Sequence, residues 1–234
     1  MKYLILHTMI VGILCVSDTS NDIKVYEVKK TQNDIVITGH GSDDAWKKAN
    51  ILTEFLYPWQ PEDLPPTEFK SLWSDSHFYF LFTVVDDEII TPQRGLGERD
   101  AVASDRVEIF FKAKDDNAPY YSLEMDALGR CLDTDGRFGG KVDFDWSWPQ
   151  DHFVLKVSQH KGGYIVEGSI TLESLGQLGI YQGDGILEAG LYRGDYFVKE
   201  NNETGIKWIS WVVADPEKPI FHIPSSFGIL KLMD

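Results

Sequence analysis

The sequence contains little of what most catalytic and redox sites are built from. Its 234 residues include only two cysteines and six histidines. No two histidines stand at the spacing by which a helix holds zinc. A glycine-rich phosphate loop, a Gly-x-Ser-x-Gly elbow and a paired-cysteine motif are also missing. These absences favour a protein that is not an enzyme.

Positive charge is also scarce. Lysine and arginine together number 22 against 37 aspartates and glutamates, which gives a formal net charge of −15. A chain of this charge repels phosphate backbones, so no nucleic-acid partner is expected. The charge suits a soluble protein that meets neutral ligands.

An apolar run at the N-terminus extends from Tyr3 to Val16 and is followed by polar residues from Ser17. The run is too short to span a bilayer and is typical of a signal-peptide core. We predict a signal peptide over residues 1–17, a mature domain over residues 18–234 without a transmembrane segment, and a secreted, periplasmic or cell-surface location. A lipid anchor at Cys15 is the alternative. Cleavage would leave Cys131 alone and exclude a disulfide within the mature chain.

Alternation of apolar and polar residues dominates the rest of the chain. Period-two runs include Asp34–Thr38, Arg106–Lys112 and Tyr120–Ala127, with turn residues between such runs. Helical pattern is confined to capped turns near Ser42–Ala49 and after Thr171. We predict an all-β protein, a single antiparallel β-sandwich of jelly-roll-like form with one or two short helical turns. Three tryptophans are predicted to lie in its core, namely Trp46, Trp73 and Trp211.

Aromatic residues cluster in three loops. An aromatic face can cover the apolar face of a sugar ring, and loops at the end of a rigid sandwich are where binding groups collect. The alternative is that these rings fix long loops onto the sandwich. The candidate ligand contacts are Trp59, Trp146, Trp148, Phe221 and His222.

Charged residues within apolar strands supply further candidates. Glu108, Glu124 and Arg193 can form directional hydrogen bonds to sugar hydroxyls. Alternatively they pair with one another, Glu124 with Arg193. A glycosidase pair of Glu108 and Glu124 is a weaker hypothesis, because nothing else in the chain resembles a hydrolase. The segment Asp133–Gly136 begins like a calcium loop, so a structural calcium ion is a further alternative, although the regular third acid and terminal glutamate are missing.

Several ordered segments resemble the family 9 carbohydrate-binding modules. The similarity extends from about Ile35 to Leu232. Its landmarks are Asp43-Asp-Ala-Trp46, Phe69-Lys-Ser-Leu-Trp73, Asp105-Arg-Val-Glu108-Ile-Phe, Gly163-Tyr-Ile-Val-Glu-Gly, Trp208-Ile-Ser-Trp211 and Phe227-Gly-Ile-Leu-Lys-Leu. The family fold is a β-sandwich, which agrees with the strand pattern.

The resemblance implies a sugar held between two tryptophans, with a glutamate and an arginine on adjacent strands. Glu108 matches that glutamate, and Phe221 stands where the second tryptophan is expected. Val102 stands at the position of the first tryptophan, and Glu124 at the position of the arginine. The two-tryptophan clamp is therefore not intact, which places the specificity for free reducing ends in doubt.

Two classes of function remain. The first is non-catalytic binding of a poly- or oligosaccharide, as an accessory to glycoside hydrolases in polysaccharide breakdown. The second is a structural or interaction β-sandwich that has lost sugar binding. Two or more aromatic rings in one groove beside Glu108 would favour the first class.

Overall fold

Twelve β-strands form the framework of the computed structural model, which describes residues 23–59, 62–213 and 220–234. The predicted signal peptide and Cys15 lie outside these ranges. The strands are β1 (Val25–Lys30), β2 (Thr67–Trp73), β3 (His77–Val85), β4 (Arg106–Lys112), β5 (Tyr120–Asp126), β6 (Cys131–Gly136), β7 (Val142–Asp143), β8 (Phe153–His160), β9 (Gly163–Thr171), β10 (Ile186–Val198), β11 (Thr204–Ser210) and β12 (Gly228–Met233).

Helical structure is short, as predicted. The described residues contain one α-helix, α1 (Leu172–Gln177), and 3₁₀ turns at Asp44–Lys48, Gly97–Ala103 and Pro224–Ser226. The Thr171 hydroxyl caps α1 by accepting from the Ser174 amide, which is the local signal that the sequence carries. Among the described residues, no helix has the length and apolar character needed to cross a membrane.

The strands form one curled sheet whose two halves face each other. The order along the sheet is β7-β6-β5-β4-β10-β12-β1-β2-β3-β9-β8, and β11 pairs with β10 beside this path. Aromatic rings from the two halves contact each other in the interior, where the ring centres of Phe78 on β3 and Phe111 on β4 are 5.9 Å apart. The prediction of an all-β sandwich is confirmed.

One strand departs from the predicted antiparallel pattern. β1 runs parallel to both of its neighbours, β12 and β2, whereas the other ladders are antiparallel. Parallel neighbours require crossover connections. Long stretches of chain supply them, because β1 and β12 lie near opposite ends of the described sequence. Local turn signals cannot reveal this pairing.

The main core lies between the two halves. It takes the inward-facing residues of β4 and β5, including Val107, Ile109 and Leu123, together with rings from β3. Trp46, Trp73 and Trp211 are all buried, as predicted. Trp73 and Trp211 belong to this main core, whereas Trp46 lies in a separate cluster on the outer face of β2 and β3.

That second cluster corrects one predicted strand. Residues 34–38 form no ladder, because their polar groups are used elsewhere. The Val36 amide donates to Asp43 and the Thr38 amide donates to Glu167. Ile35 and Ile37 still pack against the sheet, so the apolar alternation of this segment is real even though the strand is not.

Candidate functional site

The outer face of β4 and β5 carries three buried charges. Arg106 and Glu108 share this face because they are two residues apart on β4, and Glu124 stands directly opposite Glu108 on β5. Arg106 and Glu108 are each 2% exposed, and Glu124 is also buried. The face that the sequence predicted for these side chains is confirmed, since Val107 and Ile109 point into the core.

A single guanidinium serves both carboxylates. Arg106 Nε lies 2.8 Å from Glu108 Oε1 and 3.0 Å from Glu124 Oε2. Like charges directly opposite each other on neighbouring strands repel, and the guanidinium offsets this repulsion. Two carboxylates against one guanidinium need one further positive charge, or a bound proton, for balance.

The geometry of this contact leaves hydrogen-bonding capacity unused. Arg106 Nε and Glu108 Oε1 are buried and close in distance, but their alignment is not that of a hydrogen bond. The guanidinium is held from its other side, where Nη1 donates to the Val102 carbonyl over 2.8 Å. Buried polar atoms without a hydrogen bond are uncommon in folded proteins and often mark a functional position.

Burial favours the protonated forms of Glu108 and Glu124. Loss of hydration raises the pKa of Glu108 from 4.5 to about 8; the Arg106 charge opposes this rise and the Glu124 charge adds to it. Burial also raises the pKa of Glu124, against the same opposition from Arg106. The two carboxylates titrate as a pair and hold a proton at neutral pH.

Aromatic rings wall the charges on one side. Phe221 stacks on Tyr192 with ring centres 4.3 Å apart, and Trp208 meets Phe221 edge-on at 5.8 Å. The Trp208 ring also lies 5.0 Å from the Arg106 guanidinium carbon. Trp59 reaches the other side of Phe221, with centres 5.3 Å apart. Of the candidate contacts Trp59 and Phe221, only Phe221 lines the cavity beside Glu108, and Trp59 packs behind it.

His222 lies at the exposed rim of this wall. Its Nδ1 shares a hydrogen bond of 2.6 Å with the Tyr120 hydroxyl, and its ring lies 5.2 Å from that of Phe110. Desolvation of the imidazole and the Arg106 charge both lower the pKa of His222. The ring is accordingly neutral at neutral pH and adds no positive charge beside the glutamates.

These groups enclose a cavity of about 130 Å³. A single water molecule needs only about a tenth of that volume, so the cavity has room for a small ligand group. It combines apolar ring faces with buried charged groups, which is the composition of small-molecule sites. The lining residues are Arg106, Glu108, Glu124, Trp208, Ile220, Phe221 and His222.

Arg193 does not belong to this cavity, which corrects its expected pairing with Glu124. Arg193 lies opposite Val107 in the β10–β4 ladder, whereas its neighbour Tyr192 lies opposite Glu108. The Arg193 side chain therefore points into the sandwich. There its guanidinium contacts Asp195 and lies 3.2 Å from Asp86.

The aspartates around Arg193 form a buried cluster of their own. Carboxylate oxygens of Asp86, Asp105 and Asp195 lie within 4.8 Å of one another. Asp105 accepts from the Ile90 and Tyr196 amides, and burial raises the pKa of Asp105 to about 7. With Arg193 on two of the three carboxylates, the cluster has the character of an internal ion pair.

Two predicted ring contacts lie on the other side of the sheet. Trp148 is buried in the main core, where its Nε1 donates to the Ser174 hydroxyl over 3.1 Å. Trp146 packs against Tyr121 with ring centres 5.0 Å apart. Neither ring lines the cavity beside Glu108, so both fix their loop to the sandwich.

The predicted calcium loop is a strand. Asp133 and Asp135 lie in β6, and Asp133 accepts from the Trp148 amide over 2.5 Å. Cys131 begins the same strand as a half-buried free thiol. Asp133 and Asp135 share one face of β6, but the extended backbone spaces them along the strand and does not wrap them around one point.

Sequence reasoning missed three lining residues, Arg106, Trp208 and Ile220. The signal for Arg106 was present in the sequence, since Arg106 stands two residues before Glu108 on the same strand and therefore shares its face. The resemblance pointed to an arginine at position 124, and the structure supplies a guanidinium from β4 instead. Trp208 lies opposite Gly194 in the β10–β11 ladder, next to Arg106, and only this long-range pairing places it there.

Comparison with known proteins identifies the family and the fold of this chain. The family model described as carbohydrate family 9 binding domain-like matches residues 37–234. A search of curated proteins found no match.

Solved structures share the fold. A family 9 carbohydrate-binding module from Caldicellulosiruptor kristjanssonii, in complex with cellotriose, is 21% identical with a TM-score of 0.59, covering 89% of this chain and 93% of its own. The same organism's module in complex with glucose is 20% identical with a TM-score of 0.57, covering 90% and 96%. A protein from Bacteroides uniformis ATCC 8492, provisionally named as carbohydrate-binding, is 17% identical with a TM-score of 0.66, covering 90% and 100%. Because the family model matches well over half of its length, this chain belongs to the carbohydrate family 9 binding domain-like family.

Proposed function

We propose that this chain binds the sugar units of a poly- or oligosaccharide, without catalysis, in the cavity beside Glu108. The observation that carries the proposal is the combination of buried hydrogen-bonding charges with the rings of Trp208 and Phe221 in one cavity. Carboxylates and a guanidinium fix hydroxyl directions, while ring faces cover the apolar side of a sugar. Membership of a carbohydrate-binding family supports the same function.

The arrangement supports binding over hydrolysis. A glycosidase needs one carboxyl group free to protonate the leaving oxygen and a second free to attack or to activate water. Here Glu108 and Glu124 both contact the same guanidinium nitrogen. Carboxylates committed to one cation serve to hold a ligand in place.

Export and a role beside glycoside hydrolases complete the proposal. A binder of extracellular polysaccharide must leave the cytoplasm, and residues 1–17 carry the pattern of a signal peptide. The mass of the native protein tests this point. Loss of about 17 residues supports export, an acylated Cys15 selects the lipid-anchored form, and an intact N-terminus in the native protein contradicts both.

The second candidate is a structural sandwich that no longer binds sugar. It is favoured by the closed contact of Arg106 with both glutamates and by the burial of Phe221, which is 5% exposed. In that case the three charges and the rings would only stabilise the outer face of the sheet.

A glycan array separates the two candidates. We expect the mature chain to retain at least one glycan, and the Glu108→Gln variant to retain it about tenfold less strongly or worse, since a charge-assisted hydrogen bond contributes about 1.5–3 kcal/mol. The matched control is Glu27→Gln, at an exposed position of β1. If no glycan binds, or if both variants bind as the unmodified chain does, sugar binding at this cavity is wrong.

A further inference from the structure

The charges of the cavity do not balance. Arg106 is the one cation among its seven lining residues, and it faces two glutamates. The next arginine of the outer face, Arg130, contacts Asp126 and Asp100 and has no spare charge to offer. One carboxylate of the cavity therefore has no counter-ion among these residues, and only a bound proton balances its charge.

Unused hydrogen-bonding capacity lies at the same point. Glu108 Oε1 and Arg106 Nε are both buried without a hydrogen bond of good geometry, on residues that are each 2% exposed. A neutral sugar would satisfy these atoms through its hydroxyls and leave the proton of the glutamate pair in place. An ammonium group would donate to the carboxylates and replace that proton as their counter-charge.

The aromatic wall favours the same ligand. The Trp208 face already lies over one cation, the Arg106 guanidinium, at 5.0 Å. Phe221 supports the Trp208 ring, with ring centres 5.8 Å apart, while Tyr192 and Trp59 pack against Phe221 itself. Aromatic faces attract cations as well as covering sugar rings, and the net charge of −15 concentrates cations around the protein.

We propose that the cavity prefers a sugar that carries a free protonated amino group, a hexosamine of the glucosamine type, over the corresponding neutral or N-acetylated sugar. This inference rests on the proposed function, because the sugar ring itself is held by the rings that would hold a neutral sugar. The ammonium group lies between Glu108 and Glu124 and supplies the counter-charge that the protein omits.

Binding of such a ligand is linked to protons. Because burial raises the pKa of Glu108 to about 8, the unliganded pair holds a proton at neutral pH. An arriving ammonium group displaces that proton, whereas a neutral sugar does not. The other titratable groups around the triad are Tyr120, Cys131, Tyr192, Tyr196 and His222. Burial raises the pKa of Tyr120, Cys131 and Tyr192, and His222 is neutral, so none of these four competes for the proton.

Calorimetry with glucosamine, glucose and N-acetylglucosamine at about pH 6.5 tests the inference, because the amine of glucosamine is protonated there. We expect glucosamine to bind about tenfold or more tightly than N-acetylglucosamine. Repeating the titration near pH 7 in two buffers of different ionisation enthalpy should show release of about one proton with glucosamine and none with glucose. In Glu108→Gln the preference for glucosamine should disappear, while Glu27→Gln should keep it.

Other outcomes overturn the inference in distinguishable ways. Equal affinity for glucosamine and glucose, or a preference that survives in Glu108→Gln, contradicts it and leaves neutral sugar binding intact. Ethanolamine binding as tightly as glucosamine would show that the cavity takes amines without regard to the sugar, which also contradicts it. If none of the three sugars binds and the glycan array is also empty, the proposed function fails together with the inference.

Discussion

Glu108 and Glu124 stand directly opposite each other on β4 and β5, and each places a carboxylate oxygen within 3.0 Å of Arg106 Nε. An arrangement of two buried acids around one base is costly to assemble, because each charge loses its hydration. It persists in a cavity walled by Trp208 and Phe221. The stability and the binding of the protein should therefore both depend on this triad.

Removing the guanidinium should destabilise the fold. Arg106→Met keeps an extended side chain but leaves two buried carboxylates without a cation. We expect the free energy of unfolding to fall by about 3–5 kcal/mol at neutral pH, measured by urea denaturation. The combined Arg106→Met, Glu108→Gln and Glu124→Gln variant should recover much of the loss. An Arg106→Met variant as stable as the unmodified protein would contradict the buried triad.

The pH dependence of stability should carry the signature of Glu108. Burial raises the pKa of Glu108 from 4.5 to about 8, so between these values the folded state binds more protons than the unfolded state. Stability should then fall as the pH rises through this window. Glu108→Gln should lose that part of the decline in denaturation curves taken from about pH 5 to about pH 8. Burial also raises the pKa of Asp105 to about 7, and Asp105 contributes to the pH dependence of both the unmodified protein and the Glu108→Gln variant. The difference between their two stability curves therefore reports the contribution of Glu108.

Glu167 should stabilise the outer face of the other half of the sheet, where Trp46 packs on β2 and β3. Its carboxylate accepts from Trp46 Nε1 over 2.9 Å and from the amides of Thr38, Gly39 and Gly41. These bonds lower the pKa of Glu167 although burial opposes them. Glu167→Gln weakens this set of donors, and we expect a loss of about 1–3 kcal/mol.

Thermal denaturation measures that loss, with the exposed Glu173→Gln as the matched control. Sugar affinity at the native temperature should stay unchanged in both variants, because Glu167 lies on β9, far along the sheet from β4. A Glu167→Gln variant with full stability and altered affinity would contradict this assignment.

Trp208 and Trp146 should behave differently when their rings are removed. Trp208 lines the cavity, so Trp208→Leu should weaken binding of an array-identified glycan by about tenfold, a loss equivalent to about 1.4 kcal/mol. Trp146 packs on Tyr121 at the main core, so Trp146→Leu should lower the melting temperature and leave the affinity unchanged. Calorimetry and thermal denaturation of both variants check this pair. The reverse result would move the binding surface to the loop of Trp146.

The sequence predicts which face of a strand a side chain occupies better than it predicts which residues that side chain contacts. Alternation along Arg106–Lys112 places Glu108 on the outer face correctly, and the same rule places Arg193 and Tyr192 on opposite faces. Which face of β10 meets the cavity depends on its register with β4, where Tyr192 is opposite Glu108. That register is set by contacts between residues 76 to 88 positions apart, so no local pattern reveals it.

Similar reasoning explains the other differences. Residues 34–38 alternate as a strand does, but their backbone amides find the side chains of Asp43 and Glu167 in place of a ladder. The aromatic loop of Trp146 and Trp148 has the composition of a ligand site, yet its rings complete the main core. The composition of this loop shows that it carries aromatic rings, but it does not show whether those rings contact the protein core or a ligand.

Nuclear magnetic resonance of the tryptophan indole groups tests the central claim most directly. The chain has seven tryptophans, and the indoles of Trp46, Trp73 and Trp148 donate to Glu167, Met233 and Ser174, away from the cavity. Titration with an array-identified sugar should shift the indole signal of Trp208, with a smaller shift at Trp59, and leave those three in place. Saturable shifts at Trp146 or Trp148 with Trp208 unmoved would contradict the account.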